Sequence, residues 1–231
     1  MTGEDERPVL FGAVYSVYTR IARLALEEKG VPYRLSEIDI FAPGGPPADY
    51  LTRHPFGRIP AFEHDGFRLY EAGAIARYVD EGFPGPPLQP ADARARARMN
   101  QTISLLDAYA YRTLVWDIFV ERIRAPAAGR APDEAKVRAA VPKAEACLGA
   151  LSAILGNDPW LAGATLSLAD LHAVPMLILF RLAEPEGTSP WPRFPKLQRW
   201  FEAIARRPSV LATPSPIEGV CPAPDGLTPG A

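Results

Sequence analysis

The first ninety residues alternate short apolar runs with one amphipathic stretch. Pro8 to Ala13 (PVLFGA) is an apolar run ending at glycine and predicts a buried strand. In SVYTRIARLALEEKG, which follows, Ile21, Leu24 and Ala25 recur at helical spacing and Gly30 supplies the stop. Tyr33 to Ile40 alternates apolar and polar positions, the signature of a half-buried strand. Strand, helix, strand is a βαβ unit, whose parallel pairing needs a helical crossover. A Gly- and Pro-dense stretch comes next, with at most a short helix around Asp49 to Arg53. Ile59 to Glu63 and Phe67 to Tyr70 read as strands joined by the hairpin turn His64-Asp65-Gly66, and Glu71 to Tyr78 reads as a helix.

Residues 82–91 carry four prolines and two glycines and mark a linker between a domain spanning 1–81 and one spanning 92–211. The second domain is helical throughout. Asp92 caps a long helix toward Arg124, Pro132-Asp133 opens one reaching Leu155, Ser167 to Asp170 opens a third and Phe194-Pro195 a fourth. The Pro-rich residues 212–231 read as a loosely packed tail. The fold class is thus α/β plus all-α.

Composition narrows the function. The chain has 231 residues and a net charge of -2, which offers no basic field for a phosphate backbone and argues against nucleic acid. No apolar run approaches the ~20 residues of a membrane span, and the first residues contain no apolar signal core. Two cysteines, Cys147 and Cys221, make no disulfide framework, so a reducing cytoplasm is expected. No metal is called for.

Three segments carry chemistry. Ile59-Pro60 leads into the third strand, and the order βαβ-ββα with a proline there resembles the thioredoxin fold. In that fold this proline is cis and leaves the preceding backbone free to pair with an extended peptide. The alternative for Pro60 is an ordinary edge-strand proline. Glu71 stands at a helix start, where free N–H groups and a partial positive charge suit a carboxylate while its own side chain suits an ammonium. Together they match an α-amino acid head group, unless Glu71 merely caps the helix. Tyr15-Ser16-Val17-Tyr18 occupies the place of the thioredoxin Cys-x-x-Cys without a cysteine, so a hydroxyl rather than a thiol faces the cleft. The bland role for Ser16 is an N-cap.

In combination, Ser16-Val-Tyr-Thr-Arg20, Leu26-Glu-Glu-Lys-Gly-Val-Pro-Tyr33, Pro55-Phe-Gly-Arg-Ile-Pro-Ala61 and Leu69-Tyr-Glu-Ala-Gly-Ala-Ile75 resemble the glutathione transferase superfamily. Trp160-Leu-Ala-Gly163 and Ser167-Leu-Ala-Asp170 extend the resemblance over most of the chain, nearest the serine-using phi and theta classes. The resemblance implies a thioredoxin-like glutathione-binding domain, a helical domain for the second substrate, and a cytoplasmic homodimer active in detoxification. It implies that Ser16 donates to the glutathione sulfur, with Tyr15 and Tyr18 as rivals, and that Ile59, before Pro60, pairs with the cysteinyl part. It further implies that Glu71 holds the γ-glutamyl ammonium and residue 72 its carboxylate.

Three departures stand out: Ala72 replaces the usual serine, Gly44-Gly45-Pro46-Pro47 replaces a basic loop, and His54 stands where Asn or Gln is usual. Arg58, or more weakly His54, is left to take the glycine carboxylate. Tyr109, Trp116 and Phe119 on the long helix are expected to face an apolar electrophile, or else to be core or dimer contacts. A non-catalytic binding or scaffold protein and a glutathione-dependent dehalogenase or ether-cleaving enzyme are the competing functions. An isomerase of the zeta kind ranks below them because its Ser-Ser-Cys motif is absent.

Overall fold

A computed structural model describes residues 7–184 and 187–219. They gather into two compact units. One comprises the chain up to Leu88 together with 208–219, and the other comprises Gln89–Arg207.

In the first unit, β1 (Val9–Gly12), α1 (Val17–Lys29) and β2 (Arg34–Glu37) form the expected βαβ unit. A 3-10 turn (Ala48–Thr52), β3 (Ala61–His64), β4 (Phe67–Tyr70) and α2 (Ala72–Gly82) complete it. The sheet order is β2-β1-β3-β4, with β1 and β2 parallel and the other two pairings antiparallel. Asp65 and Gly66 both have positive φ, 49° and 77°, as a two-residue hairpin turn with right-handed strand twist requires. The helix α1 stops at Gly30, whose φ of 65° lets its N–H and that of Val31 return to Glu27 and Leu26. Ile21, Leu24 and Ala25 are fully buried on α1, and Ile75, Ala76 and Val79 on α2. The strand β2 comes out shorter than its pattern, because it pairs only with the four residues of β1, whereas β3 starts at Ala61 and runs on to His64, which pairs with Phe67 of β4.

The Pro-rich stretch after α2 is fastened at its start. Lys29 Nζ donates to the carbonyls of Asp80 (2.9 Å), Gly85 (3.4 Å) and Pro86 (3.2 Å), and pairs with Asp80 Oδ1 at 3.2 Å. Asp80 Oδ1 also accepts the Leu88 N–H at 2.7 Å. Gly85 is required here, since a Cβ would stand 3.0 Å from the Lys29 carbonyl.

In the second unit, α3 (Ala93–Leu105) starts at Asp92, whose side chain accepts the Ala95 N–H. It runs on through a π-helical stretch (Leu106–Arg124) into α4 (Ala125–Ala127). The helices α5 (Glu134–Leu155), α6 (Leu168–Leu182) and α7 (Pro195–Ala205) follow, each starting at a residue marked by the sequence. The apolar run Ala173 to Phe180 is the core of this unit, and no helix among the described residues is long and apolar enough to cross a membrane. Asp170 organises the start of α6. Fully buried, it accepts the Leu161 N–H (2.9 Å), the Ser167 N–H (2.8 Å), the Ser167 hydroxyl (2.8 Å) and the Trp200 Nε1–H (2.8 Å).

The end of the chain departs from the sequence reading. The helix α8 (Pro208–Ala212) belongs with the first unit rather than with the helical one. Residues 213–219, read above as loosely packed, are anchored: Thr213 is fully buried and Ser215 nearly so. The reason is polar rather than apolar, which hydrophobic patterning does not register. The rest of the tail, 220–231 with Cys221, lies outside the described residues.

Candidate functional site

Sheet register assembles one edge of the first unit. Phe11 pairs with Ala61, and Ala61 with Tyr70. The residues just beyond this row are therefore neighbours: the β1-α1 turn (Ala13 to Ser16), Pro60, and Glu71. Three segments far apart in sequence meet at the carboxyl end of β1, the end at which open α/β sheets bind ligands.

Ser16 is the N-cap of α1, and its Oγ accepts the Thr19 N–H at 3.2 Å. A hydroxyl that caps in this way uses a lone pair and keeps its proton to donate elsewhere, so capping and donation are compatible roles. Gly12 lets Thr19 approach, since a Cβ on Gly12 would meet Thr19 Oγ1 at 2.4 Å. Tyr15 is placed differently. Its hydroxyl donates to Asp39 Oδ1 at 2.9 Å, and burial with Asp39 pushes its pKa up to about 12. That phenol is committed to a carboxylate. Tyr18 is half-buried in the first turn of α1.

The Ile59-Pro60 bond is cis, and Ile59 is buried. Tyr50, itself buried, fixes the preceding backbone by donating its hydroxyl to the Arg58 carbonyl at 2.7 Å. The Arg58 side chain is exposed. His54 is 2 % exposed, with its ring 4.9 Å from that of Tyr70 and 6.2 Å from that of Phe56. Burial lowers its pKa against the opposing pull of Glu71, so the imidazole is held neutral and serves poorly as a cation for a carboxylate.

Glu71 has φ 72° and ψ 116°, a backbone setting that costs a non-glycine residue about 1–3 kcal/mol. Its side chain makes no capping bond and is exposed. Simple capping is therefore not its role. The first N–H groups of α2, on Ala72 and Gly73, head the helix beside it, and Ala72 itself is buried.

The aromatics of the long helix are dispersed. Tyr109 is 66 % exposed, Trp116 half-buried and Phe119 buried within the second unit. The π-helical winding moves residues that a 3.6-residue period would align onto different faces. Asp39, Tyr50 and Arg20 escaped sequence reasoning. Asp39 closes the alternating run after β2, which is the one signal that could have marked it.

A thioredoxin-like sheet with no cysteine at the start of its first helix, followed in the same chain by a helical unit, is the class that fold and site define. Family models agree on both halves. The glutathione S-transferase N-terminal domain matches residues 10–87 and the C-terminal domain matches residues 103–208. Glutathione S-transferase F14 of Arabidopsis thaliana is 31% identical over 196 residues, which is 83% of this chain and 77% of that protein. Glutathione transferase F7 from Populus trichocarpa superposes with a TM-score of 0.77 at 28% identity, over 89% of this chain and 97% of its own. A glutathione S-transferase-I bound with lactoylglutathione gives 0.77 at 26% identity, over 90% and 98%. The chain belongs to the glutathione S-transferase family.

Proposed function

We propose that this protein is a glutathione transferase that holds glutathione at the edge described above and activates its thiol as a thiolate. The reading is carried by Glu71: a strained, exposed carboxylate, free of any cap, beside a helix N-terminus and the cis-proline. That geometry suits the γ-glutamyl head group, with the ammonium on Glu71 and the carboxylate on the N–H groups of Ala72 and Gly73. The backbone of Ile59 pairs with the cysteinyl part as an added strand. Arg58 takes the glycine carboxylate in place of the basic loop that Gly44-Gly45-Pro46-Pro47 replaces. Ser16 donates its free proton to the sulfur, and the α1 N-terminus adds a positive end.

A free thiol ionises near pH 8.5, and lowering that by about two units makes the thiolate dominant at neutral pH. The protein supplies orientation and anion stabilisation and forms no covalent bond. The thiolate attacks an apolar electrophile. We place the protein in the cytoplasm as a homodimer acting in detoxification, in keeping with the free, buried Cys147.

The test is titration with glutathione, following heat and thiolate absorbance together. Binding with new thiolate signal at pH 7, weakened by Glu71→Gln, is the expected result. Ala72, which lacks a hydroxyl, favours a second reading as a non-catalytic scaffold. Absence of binding at millimolar glutathione would put that reading first.

A further inference from the structure

The helix that Ser16 caps carries two buried cations, Arg20 and Arg23, and residues 210–218 supply acceptors to both. Arg20 is 2 % exposed. Its Nη1 donates to Glu218 Oε1 at 2.5 Å, and its Nη2 reaches Glu218 Oε2 at 3.4 Å and the Val210 carbonyl at 3.2 Å. Arg23, also buried, reaches the Ala212 carbonyl at 3.5 Å and the Tyr33 hydroxyl at 3.2 Å. Further along α1, Glu28 accepts the Ser209 hydroxyl at 2.5 Å. Residues 209–218 thus lie against the face of α1 that carries Arg20, Arg23 and Glu28. The segment is internally braced. Glu218 Oε1 accepts the Ser215 N–H at 2.7 Å, and the Thr213 hydroxyl donates to the Ser209 carbonyl at 2.9 Å.

We propose that Glu218 is a positioning residue for the thiol-activating hydroxyl, acting through Arg20. The coupling is short. The Arg20 N–H donates to the Ser16 carbonyl at 2.9 Å, so the two residues share the first turn of α1. Burial disfavours the Arg20 charge, and the neighbouring Arg23 repels it. With Glu218 neutral or gone, the Arg20 guanidinium is an uncompensated buried cation and must move toward water. The turn it leaves is the turn that sets Ser16 Oγ. A misplacement of about 1 Å at a reacting group can cost about a hundredfold in rate. The inference rests on the glutathione reading, because it needs Ser16 to face the thiol.

Glu218→Gln, Glu218→Asp and the wild type are to be compared in the full chain. The measurements are glutathione affinity, the pH profile of thiolate absorbance, kcat and KM with a chromogenic electrophile, and amide exchange of residues 16–20. The expected result for Glu218→Gln is a thiolate profile displaced to higher pH and kcat at pH 7 lowered by roughly tenfold or more. Glutathione affinity at pH 7 falls only by the few-fold that the lost thiolate accounts for, and exchange in the first turn of α1 is faster. The shorter acid of Glu218→Asp restores part of each effect. A Glu218→Gln protein with lowered thermal stability but an unchanged pH profile and unchanged first-turn exchange would overturn the proposal. If Glu218→Gln fails to fold, Glu218→Asp alone decides, by whether its pH profile moves at all. If the wild type binds glutathione without forming thiolate, the functional reading has failed separately. Unchanged first-turn exchange would then overturn the positioning role as well.

Discussion

The Tyr15 hydroxyl donates a hydrogen bond to Asp39 Oδ1 at 2.9 Å, and the same carboxylate oxygen accepts the Phe41 N–H at 2.9 Å. The phenol is thereby tied to the loop after β2, although it stands next to Ser16 in the chain. Tyr15→Phe should lose about 1 kcal/mol of stability, the worth of one hydrogen bond, and keep the glutathione thiolate signal. With the phenol ionising near 12, no break from Tyr15 should enter the thiolate profile between pH 6 and 9. Loss of the signal in Tyr15→Phe would move the donor role from Ser16 to the phenol.

The N-cap role of Ser16 and the proposed donation to the thiol can be separated. Aspartate caps helices as well as serine does but carries no proton to give at neutral pH. Ser16→Asp should hold the melting temperature near that of the wild type and abolish thiolate formation. Ser16→Ala should lose both, with about 1 kcal/mol of destabilisation. Thiolate formation surviving in Ser16→Asp would remove the hydroxyl from the mechanism.

Glu121 fixes the acid limit of the helical unit. Hydrogen bonds from Lys136 (2.8 Å) and Arg130 (2.7 Å), with help from the Asp133 N–H, hold its carboxyl down at about 2. A carboxyl whose folded pKa is depressed contributes stability above its ordinary value and loses it as pH falls toward the folded one. That contribution should be complete above about pH 4.5 and fade between there and about 2. Glu121→Gln should show a flatter decline over the same interval in denaturant titrations at stepped pH. Parallel curves for the two proteins would refute the assignment.

Asp170 has four donors aimed at it inside the second unit. Asp170→Ala leaves them unpaired in a dry site and should cost about 3–5 kcal/mol in chemical denaturation. A loss below about 1 kcal/mol would mean that the donors find new partners.

At Gly12, an added methyl would meet Thr19 Oγ1 at 2.4 Å and Cγ2 at 2.7 Å, and Thr19 is fully buried with nowhere to yield. Gly12→Ala should destabilise by about 1–3 kcal/mol. Thr19→Ala introduced alongside it should recover part of that loss, a non-additivity that a double-mutant cycle reads directly.

The local grammar of this chain was open to reading from residues alone. Gly30 as a stop, Asp65-Gly66 as a turn, and Asp92, Asp133 and Ser167 as caps each act over three or four residues, so sequence spacing suffices to place them. The segments that meet at the carboxyl end of β1 were also visible, because each has its own motif. What the sequence hid was long-range polar pairing. Nothing near Tyr15 announces Asp39, nothing near Arg20 announces Glu218, and a proline-rich stretch reads as loose until its acceptors are seen to face buried guanidinium groups. The dispersal of Tyr109, Trp116 and Phe119 was hidden for another reason. Face assignment assumes a 3.6-residue turn, and this stretch is wound more widely.

The joining of residues 208–219 to the first unit also bears on how the protein is made. A ribosome releases Met1 to Leu88 long before α8 exists, and meanwhile Arg20 and Arg23 have no carbonyl or carboxylate to lie against. The unit whose synthesis begins first is therefore completed only by a segment made after the whole of the second unit.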